Sequence, residues 1–156
     1  MSTVHLSPPS QPAAPPSTGE ISHILVQHGY RLTQPRAAVV EAVLGHSRPF
    51  TAEQLVAELS AGENAIGRAT IYRTLEILAS VDVLARLIQQ DGRPAYIWGA
   101  PGHRHHLVCS SCGQAVPFTF CPMDQLAPAL TRDTSFVIED HLLEVFGVCP
   151  TCQQGG

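Results

Sequence analysis

Apolar residues recur at helical spacing through the first half of the chain, and turn residues divide this half into four predicted helices. They run from Glu20 to His28, from Thr33 to Leu44, from Thr51 to about Gly62, and from near Gly67 to Ala79. The third begins with a capping box, because Thr51 is followed three positions later by Gln54. Two β-prone runs follow, 83–89 and 94–98, and the Asp91-Gly92 pair between them is typical of a hairpin. This order predicts a winged helix-turn-helix.

The second half changes character after residues 99–102, Gly-Ala-Pro-Gly, which predict a hinge. Strands are predicted at 105–109 and 115–118, a helix at 122–130, and an alternating strand over 136–148. Because so small an α+β domain has little core, we expect a cross-link to stabilise it. The predicted organisation is an arm (1–19), a winged-helix domain (20–98), the hinge (99–102) and a second domain (103–156).

Composition narrows the classes of function. Residues 1–19 hold five of the 13 prolines and few large apolar residues, which predicts a disordered arm. The arm lacks the basic residues and apolar core of a secretory signal, and no run of about 18 apolar residues predicts a membrane span. We therefore expect a cytoplasmic protein without membrane contact. The net charge of −4 argues against general polyanion binding, so any DNA binding must be inferred from motifs.

Four cysteines form two Cys-x-x-Cys pairs, Cys109 with Cys112 and Cys149 with Cys152. Each pair can present two thiolates on one side of a tight turn, and together they can complete a tetrahedral structural zinc site. The alternatives are disulfides, which are rare in a cytoplasmic protein, and a redox dithiol, whose strand-to-helix context the sequence pattern does not predict. We interpret the fifth cysteine, Cys121, as a small buried apolar residue rather than a ligand.

A second group of candidate ligands is the run His103-Arg104-His105-His106. In an extended segment His103 and His105 face the same side and form half of a metal site. Asp124, at the start of the predicted helix, and His141, on the last predicted strand, are candidates to complete it. Three imidazoles and a carboxylate suit Zn²⁺, and also Fe²⁺, Mn²⁺ or Ni²⁺. The alternative is a group of solvated surface histidines.

Candidate DNA contacts lie at the start of the fourth helix. Its apolar residues face inward, which leaves Arg68, Thr70, Tyr72 and Arg73 near the exposed N-terminal end. A recognition helix uses this end to reach base edges and phosphates in a major groove. Arginine can pair with guanine, and tyrosine can contact a thymine methyl group or a phosphate. Arginine and tyrosine are common on any helix surface, so the interpretation of this helix as a recognition helix depends on the order of the predicted helices and hairpin.

Several motifs together resemble the ferric uptake regulator (Fur) family. They are Gln34-Pro35-Arg36, the run from Ile66 to Leu75, His105-His106-Leu107-Val108-Cys109-x-x-Cys112-Gly113, and His141 through Gly147-Val148-Cys149-x-x-Cys152. The resemblance covers residues 20–153 in the family's order. It implies a homodimer that binds palindromic double-stranded DNA operators when loaded with metal, through Tyr72 and Arg73. We include Arg36 among the DNA contacts, and we expect the C-terminal α/β domain to carry the dimer interface and the structural zinc.

The family's regulatory metal sites carry over unevenly. One recurrent site matches His103, His105, Asp124 and His141. At the second of these positions iron regulators commonly have Asp, so His105 makes the chain more similar to the zinc uptake regulators (Zur). The other site, at the hinge, keeps only His106, and its remaining positions hold Pro49, Ile97, Gly99, Arg104 and Pro117. That loss also counts against peroxide sensing, which needs the histidines of the hinge site.

We therefore expect a metal-dependent transcriptional repressor with a structural Zn²⁺ and a second, regulatory divalent metal, Zn²⁺ ahead of Fe²⁺ or Mn²⁺. Metal binding is expected to set the two recognition helices of the dimer roughly 34 Å apart, one turn of DNA. The alternatives are an iron- or manganese-responsive regulator, a metal-independent adaptor, and a zinc enzyme or thiol oxidoreductase. No small-molecule substrate is expected, because no motif beyond the histidines suggests a hydrolytic zinc site.

Overall fold

The computed structural model describes residues 15–61, 64–99, 105–118 and 120–155. These residues fall into two compact units, one extending to residue 102 and the other beginning at residue 103. Helices and small sheets make up both units, so the fold is α+β, as predicted. Within the described ranges no helix combines the length and apolarity needed to cross a membrane.

In its described residues, the first unit has four helices and a hairpin. They are α1 (Thr18–Gln27), α2 (Gln34–Leu44), α3 (Ala52–Leu59), α4 (Arg68–Ser80), β1 (Leu84–Ile88) and β2 (Pro94–Trp98). Helix α1 starts at Thr18 rather than Glu20, because Ser17 and Glu20 form a capping box in which each accepts the other's backbone N–H. The expected capping box of Thr51 and Gln54 is confirmed at α3.

The core of this unit is formed by one face of each helix. Its largest fully buried side chains include Phe50, Ile21, Leu25, Leu55, Ile71, Leu75 and Leu78. Burial of each such side chain contributes about 1.5–3 kcal/mol to stability. On α4 the buried residues Ile71, Leu75 and Leu78 follow one another at intervals of four and three, so the opposite face of α4 is directed outward.

The wing is the antiparallel pair of β1 and β2, in which Ala85 lies opposite Ile97. Its turn has three residues, because Gln89 N donates to Arg93 O and Gly92 takes a φ of +81°, a conformation that glycine adopts without strain. Phe50 and Tyr96 exchange backbone hydrogen bonds, which form a single-residue antiparallel bridge beside this two-stranded sheet. The predicted winged helix-turn-helix is therefore confirmed.

The second unit contains, in its described part, a three-stranded sheet of order β4-β3-β5. Strand β3 (His105–Cys109) is antiparallel to β4 (Ala115–Phe118) and parallel to β5 (Glu144–Gly147), and the helices are α5 (Met123–Thr134) and α6 (Pro150–Gln154). The strand expected over 136–148 is reduced to 144–147. The alternating pattern of 136–143 is not sufficient for a strand, because β3 pairs with β5 only from His106 to Cys109.

Candidate functional site

The four cysteines of the two Cys-x-x-Cys pairs lie together at one end of the second sheet. Parallel strands β3 and β5 both end there, with Cys109 opposite Gly147 and Ser110 N donating to Gly147 O at 2.7 Å. All four Sγ atoms lie within 4.8 Å of one another, and Cys112 Sγ is 3.9 Å from Cys149 Sγ. Two thiolates on a tetrahedral zinc ion are roughly 3.8 Å apart, whereas a disulfide requires about 2.05 Å.

Hydrogen bonds to sulfur prepare this cysteine cluster for a cation. The backbone N–H of Cys149 donates to Cys109 Sγ at 3.3 Å, and together with the Cys112 N–H it lowers the pKa of Cys109 to about 6. Side-chain hydrogen bonds with Cys149 and Cys112 raise the pKa of Cys152 to about 12. The Cys109 thiolate thus forms readily, and its negative charge opposes the ionisation of the neighbouring cysteines. A divalent cation bound among them would offset this repulsion. Spacing and donor set both fit the predicted structural zinc.

The expected regulatory ligands come together in part. His105, which is 3% exposed on β3, and His141, just before β5, are neighbours, with ring centroids 5.2 Å apart. Asp124, in the first turn of α5, lines the same pocket as His141, alongside Glu139 and Asp140. His103 lies outside the described residues, so its place in the site stays a prediction.

Cys121, predicted from the sequence to be a small buried apolar residue, lies in the same cluster as His105 and His141. Its Sγ lies 3.3 Å from His141 Nε2, and the candidate ligand atoms of His105, Cys121 and His141 all lie within 4.8 Å of one another. The residue is half-buried and lines the pocket that contains Asp124. A sequence signal did exist, since Cys121 stands three positions before a candidate carboxylate ligand.

Two positions of the expected hinge site, Gly99 and His106, lie in different units of the fold. A side chain at position 99 would place its Cβ 2.9 Å from Ala85 N, so a ligand residue in place of Gly99 would require the backbone of β1 to shift. His106, 3% exposed, lies opposite Glu144 in the parallel register, with His106 Nδ1 3.7 Å from Glu144 Oε1. The sequence alone does not predict a role for Glu144, because its pairing with His106 depends on a register between distant segments.

The N-terminal end of α4 displays the candidate DNA contacts. Arg68 and Arg73 are exposed, whereas Thr70 and Tyr72 are half-buried. The Tyr72 hydroxyl donates to the Glu53 carboxylate of α3 at 2.5 Å and accepts from Arg68 Nη2 at 3.1 Å. The hydrogen bond between Tyr72 and Glu53 lowers the pKa of Glu53 and raises the pKa of Tyr72. Glu53 thus holds an ionised carboxylate beside the expected phosphate contacts.

Arg36 is placed differently from the other candidate DNA contacts. It lies half-buried in the first turn of α2, and its Nη1 donates to the carbonyl of Arg31 in the preceding loop. Its Nε atom is buried and has no hydrogen-bond partner. This geometry ties the loop to α2, and a DNA contact from Arg36 stays a prediction.

Comparison with known proteins places these features in one family. The profile of the ferric uptake regulator family matches residues 27–146. The chain belongs to the ferric uptake regulator family. Its members are transcription regulators and not enzymes. Among Fur-family relatives, the peroxide-responsive repressor PerR of Staphylococcus epidermidis is 29% identical over 129 residues, 82% of this chain and 85% of that protein.

Solved Fur-family structures agree with the fold. A zinc uptake regulator in complex with zinc and DNA has a TM-score of 0.71 at 20% identity, over 88% of this chain and 93% of that chain. The ferric uptake regulator Fur of Helicobacter pylori, described as having three functional metal binding sites, has a TM-score of 0.57 at 16% identity, over 91% and 97% of the two chains. At these identities the likeness shows the fold alone.

Proposed function

We propose that this protein is a cytoplasmic, zinc-responsive transcriptional repressor that binds palindromic operators of metal-homeostasis genes as a homodimer. The observation that carries the proposal is the approach of His105 and His141, which are distant in sequence, to within coordinating reach of one another. A metal bound by residues of β3, α5 and the segment before β5 would restrict their relative placement. Only a site that draws on separate segments can convert metal binding into a change of shape.

A homodimer is supported by the apolar surface of the second unit. Large apolar side chains are exposed there, namely Phe136 (71%), Val137 (82%), Leu142 (69%), Leu126 (47%), Val145 (41%) and Phe146 (38%). A monomer rarely exposes so much apolar surface in one small domain. A second copy of the chain is the proposed occupant, because a palindromic operator requires two recognition helices related by a two-fold axis.

Zinc is proposed as the regulatory ion because nitrogen donors dominate the candidate ligands. His103, His105 and His141 with Asp124 would give three imidazoles and one carboxylate, a set that suits Zn²⁺. Iron or manganese is the second candidate, since the same donors also accept these ions. Relatives named as peroxide-responsive repressors do not alter the proposal, because the hinge position retains only His106.

The test is DNA binding titrated against Zn²⁺, Fe²⁺ and Mn²⁺ in the wild type, His141→Ala and His103→Ala. Both variants should keep one zinc ion per chain in the cysteine cluster, remain dimeric, and lose metal-stimulated operator binding. The matched control is His23→Ala, an exposed histidine of α1 for which no role is proposed. It should respond to metal like the wild type.

Two results would overturn the proposal. If His106→Ala stays folded, dimeric and zinc-loaded in the cysteine cluster but loses the metal response, while His103→Ala and His141→Ala keep it, a rebuilt hinge site that recruits an acid such as Asp82 is the sensor. If operator affinity does not depend on metal at all, the protein is a metal-independent adaptor. If operator binding responds to Fe²⁺ or Mn²⁺ but not to Zn²⁺, the protein is a metal-dependent repressor whose regulatory ion is not zinc.

A further inference from the structure

Cys121 places a sulfur atom among the imidazoles of the proposed regulatory site. Its Sγ lies 3.3 Å from His141 Nε2, and His105 contributes a third candidate ligand atom within 4.8 Å of both. A thiolate and an imidazole bound to the same tetrahedral zinc ion are separated by roughly 3.6 Å. The observed separation therefore requires little movement on metal binding.

The surroundings of Cys121 also favour a ligand over an inert side chain. The residue is half-buried two positions before the first residue of α5, and it lines a pocket instead of lying in the apolar core. Carboxylates of Asp124, Glu139 and Asp140 line the same pocket. Such acidic walls attract a divalent cation, and any one of the three could supply an oxygen ligand.

We propose that Cys121 is a thiolate ligand of the regulatory metal, which gives the site a sulfur donor beside the imidazoles of His105 and His141. This inference rests on the proposed regulatory site and defines its chemistry. On binding a divalent ion, the Cys121 thiol loses one proton to solvent and forms one sulfur–metal bond. Thiolate sulfur favours Zn²⁺ over Mn²⁺, which prefers oxygen donors. Cys121 would therefore determine the metal selectivity of the repressor.

The experiment uses Co²⁺ as a spectroscopic probe in full-length protein whose cysteine cluster retains zinc. In the wild type, Co²⁺ should produce visible d–d bands together with a near-ultraviolet sulfur-to-cobalt charge-transfer band. Cys121→Ser should keep the visible bands and lose the near-ultraviolet band. Met123→Leu is the matched control, because Met123 carries a second sulfur atom in the same pocket. Its near-ultraviolet band should match that of the wild type.

Metal competition provides a second readout. Cys121→Ser should weaken Zn²⁺ binding at this site by at least about tenfold, since removal of a residue that merely supports a ligand already has such an effect. Its Mn²⁺ affinity should change little, so the ratio of the two affinities should fall. Zinc retained in the cysteine cluster is measured in each sample, to show that Co²⁺ has not displaced it.

The possible results separate this inference from the proposed function. Visible cobalt bands without a charge-transfer band in the wild type would show that the regulatory site exists and that Cys121 is not its ligand. A charge-transfer band that survives in Cys121→Ser would assign the signal to other thiolates and overturn the inference. Failure of the wild type to bind any Co²⁺ beyond the cysteine cluster would refute the regulatory site itself, and the inference with it.

Discussion

The hydroxyl of Tyr72 on α4 donates a 2.5 Å hydrogen bond to the carboxylate of Glu53 on α3. The Tyr72 hydrogen bond lowers the pKa of Glu53, so the carboxylate is ionised at neutral pH. A negative charge is thereby fixed beside Arg68, whose guanidinium lies 3.8 Å from the same carboxylate. Because DNA phosphates are also negative, Glu53 opposes the approach of DNA while it orients Tyr72.

Replacing Glu53 with Gln should therefore tighten operator binding several-fold. Glutamine retains an oxygen that can accept from the Tyr72 hydroxyl but removes the charge that repels phosphates. The gain should shrink as salt is raised, because exposed charges are screened. Operator titrations at two salt concentrations measure this gain, and the control is Glu76→Gln, which removes the charge of an exposed acid of α4. Weaker binding by Glu53→Gln would instead show that the charge is needed to hold Tyr72 in place.

Arg73→Ala should weaken operator binding by about 1–3 kcal/mol, the usual effect of losing one base contact. Arg73 is exposed on the outward face of α4, so its removal leaves the core intact. If Arg73 contacts a phosphate, the slope of the logarithm of the binding constant against the logarithm of the salt concentration should also become less steep by about one. Arg132→Ala, an exposed arginine of α5 paired with Asp133, is the control and should bind normally. An unchanged isotherm for Arg73→Ala would exclude this part of α4 from recognition.

Cys112→Ser should unfold the second unit and dissociate the dimer. A structural zinc site contributes on the order of 10 kcal/mol of apparent folding free energy, which the small core of this unit cannot replace. Zinc content, circular dichroism and the sedimentation coefficient measure the three expected losses. Cys121→Ser is the control for fold and dimer, because it leaves all four ligands of the cysteine cluster in place and should lose zinc only from the regulatory site. A folded, zinc-loaded Cys112→Ser dimer would disprove the four-cysteine assignment.

The buried pair of His106 and Glu144 should behave as a unit. Their side chains are only 4% and 7% exposed, and His106 Nδ1 and Glu144 Oε2 have no hydrogen-bond partner. His106→Leu should destabilise the second unit by about 3–5 kcal/mol, because a carboxylate then stays buried without its imidazole neighbour. The double variant His106→Leu/Glu144→Leu should regain most of that loss. Zinc release to a chromophoric chelator during urea unfolding reports on this unit, and an additive double variant would contradict the coupling.

Features encoded over a few neighbouring residues could be predicted from the sequence. The Thr51–Gln54 capping box, the Asp91-Gly92 turn and the two Cys-x-x-Cys turns are all of this kind, because local spacing alone determines their geometry. Apolar spacing and turn residues likewise predicted the order of the helices and the hairpin, and the family resemblance added the homodimer, the palindromic operators and the DNA contacts of Tyr72 and Arg73.

Features that depend on the meeting of distant segments could not be predicted in the same way. Glu144 lies beside His106 only because β3 and β5 pair in parallel and in this register. Glu53 meets Tyr72 through the packing of α3 on α4. Cys121 meets His141 because the start of α5 returns to the sheet, and nothing in the spacing of these two residues specifies that approach.

The parallel pairing of β3 with β5 governs how the second unit can assemble. Adjacent antiparallel strands can be joined by a tight turn. The parallel strands β3 and β5 are instead joined by residues 110–143, and this whole segment must form a loop before any residue pair of the two strands, such as His106 with Glu144, can meet. Pairing of that kind is slow, because the chain loses entropy before native contacts compensate. A zinc ion bound first by Cys109 and Cys112 would speed the pairing of β5 with β3, because binding of Cys149 to the same ion places β5 beside β3. The rate at which newly made repressor becomes competent would thus follow the zinc supply during folding, on a timescale separate from reversible metal sensing.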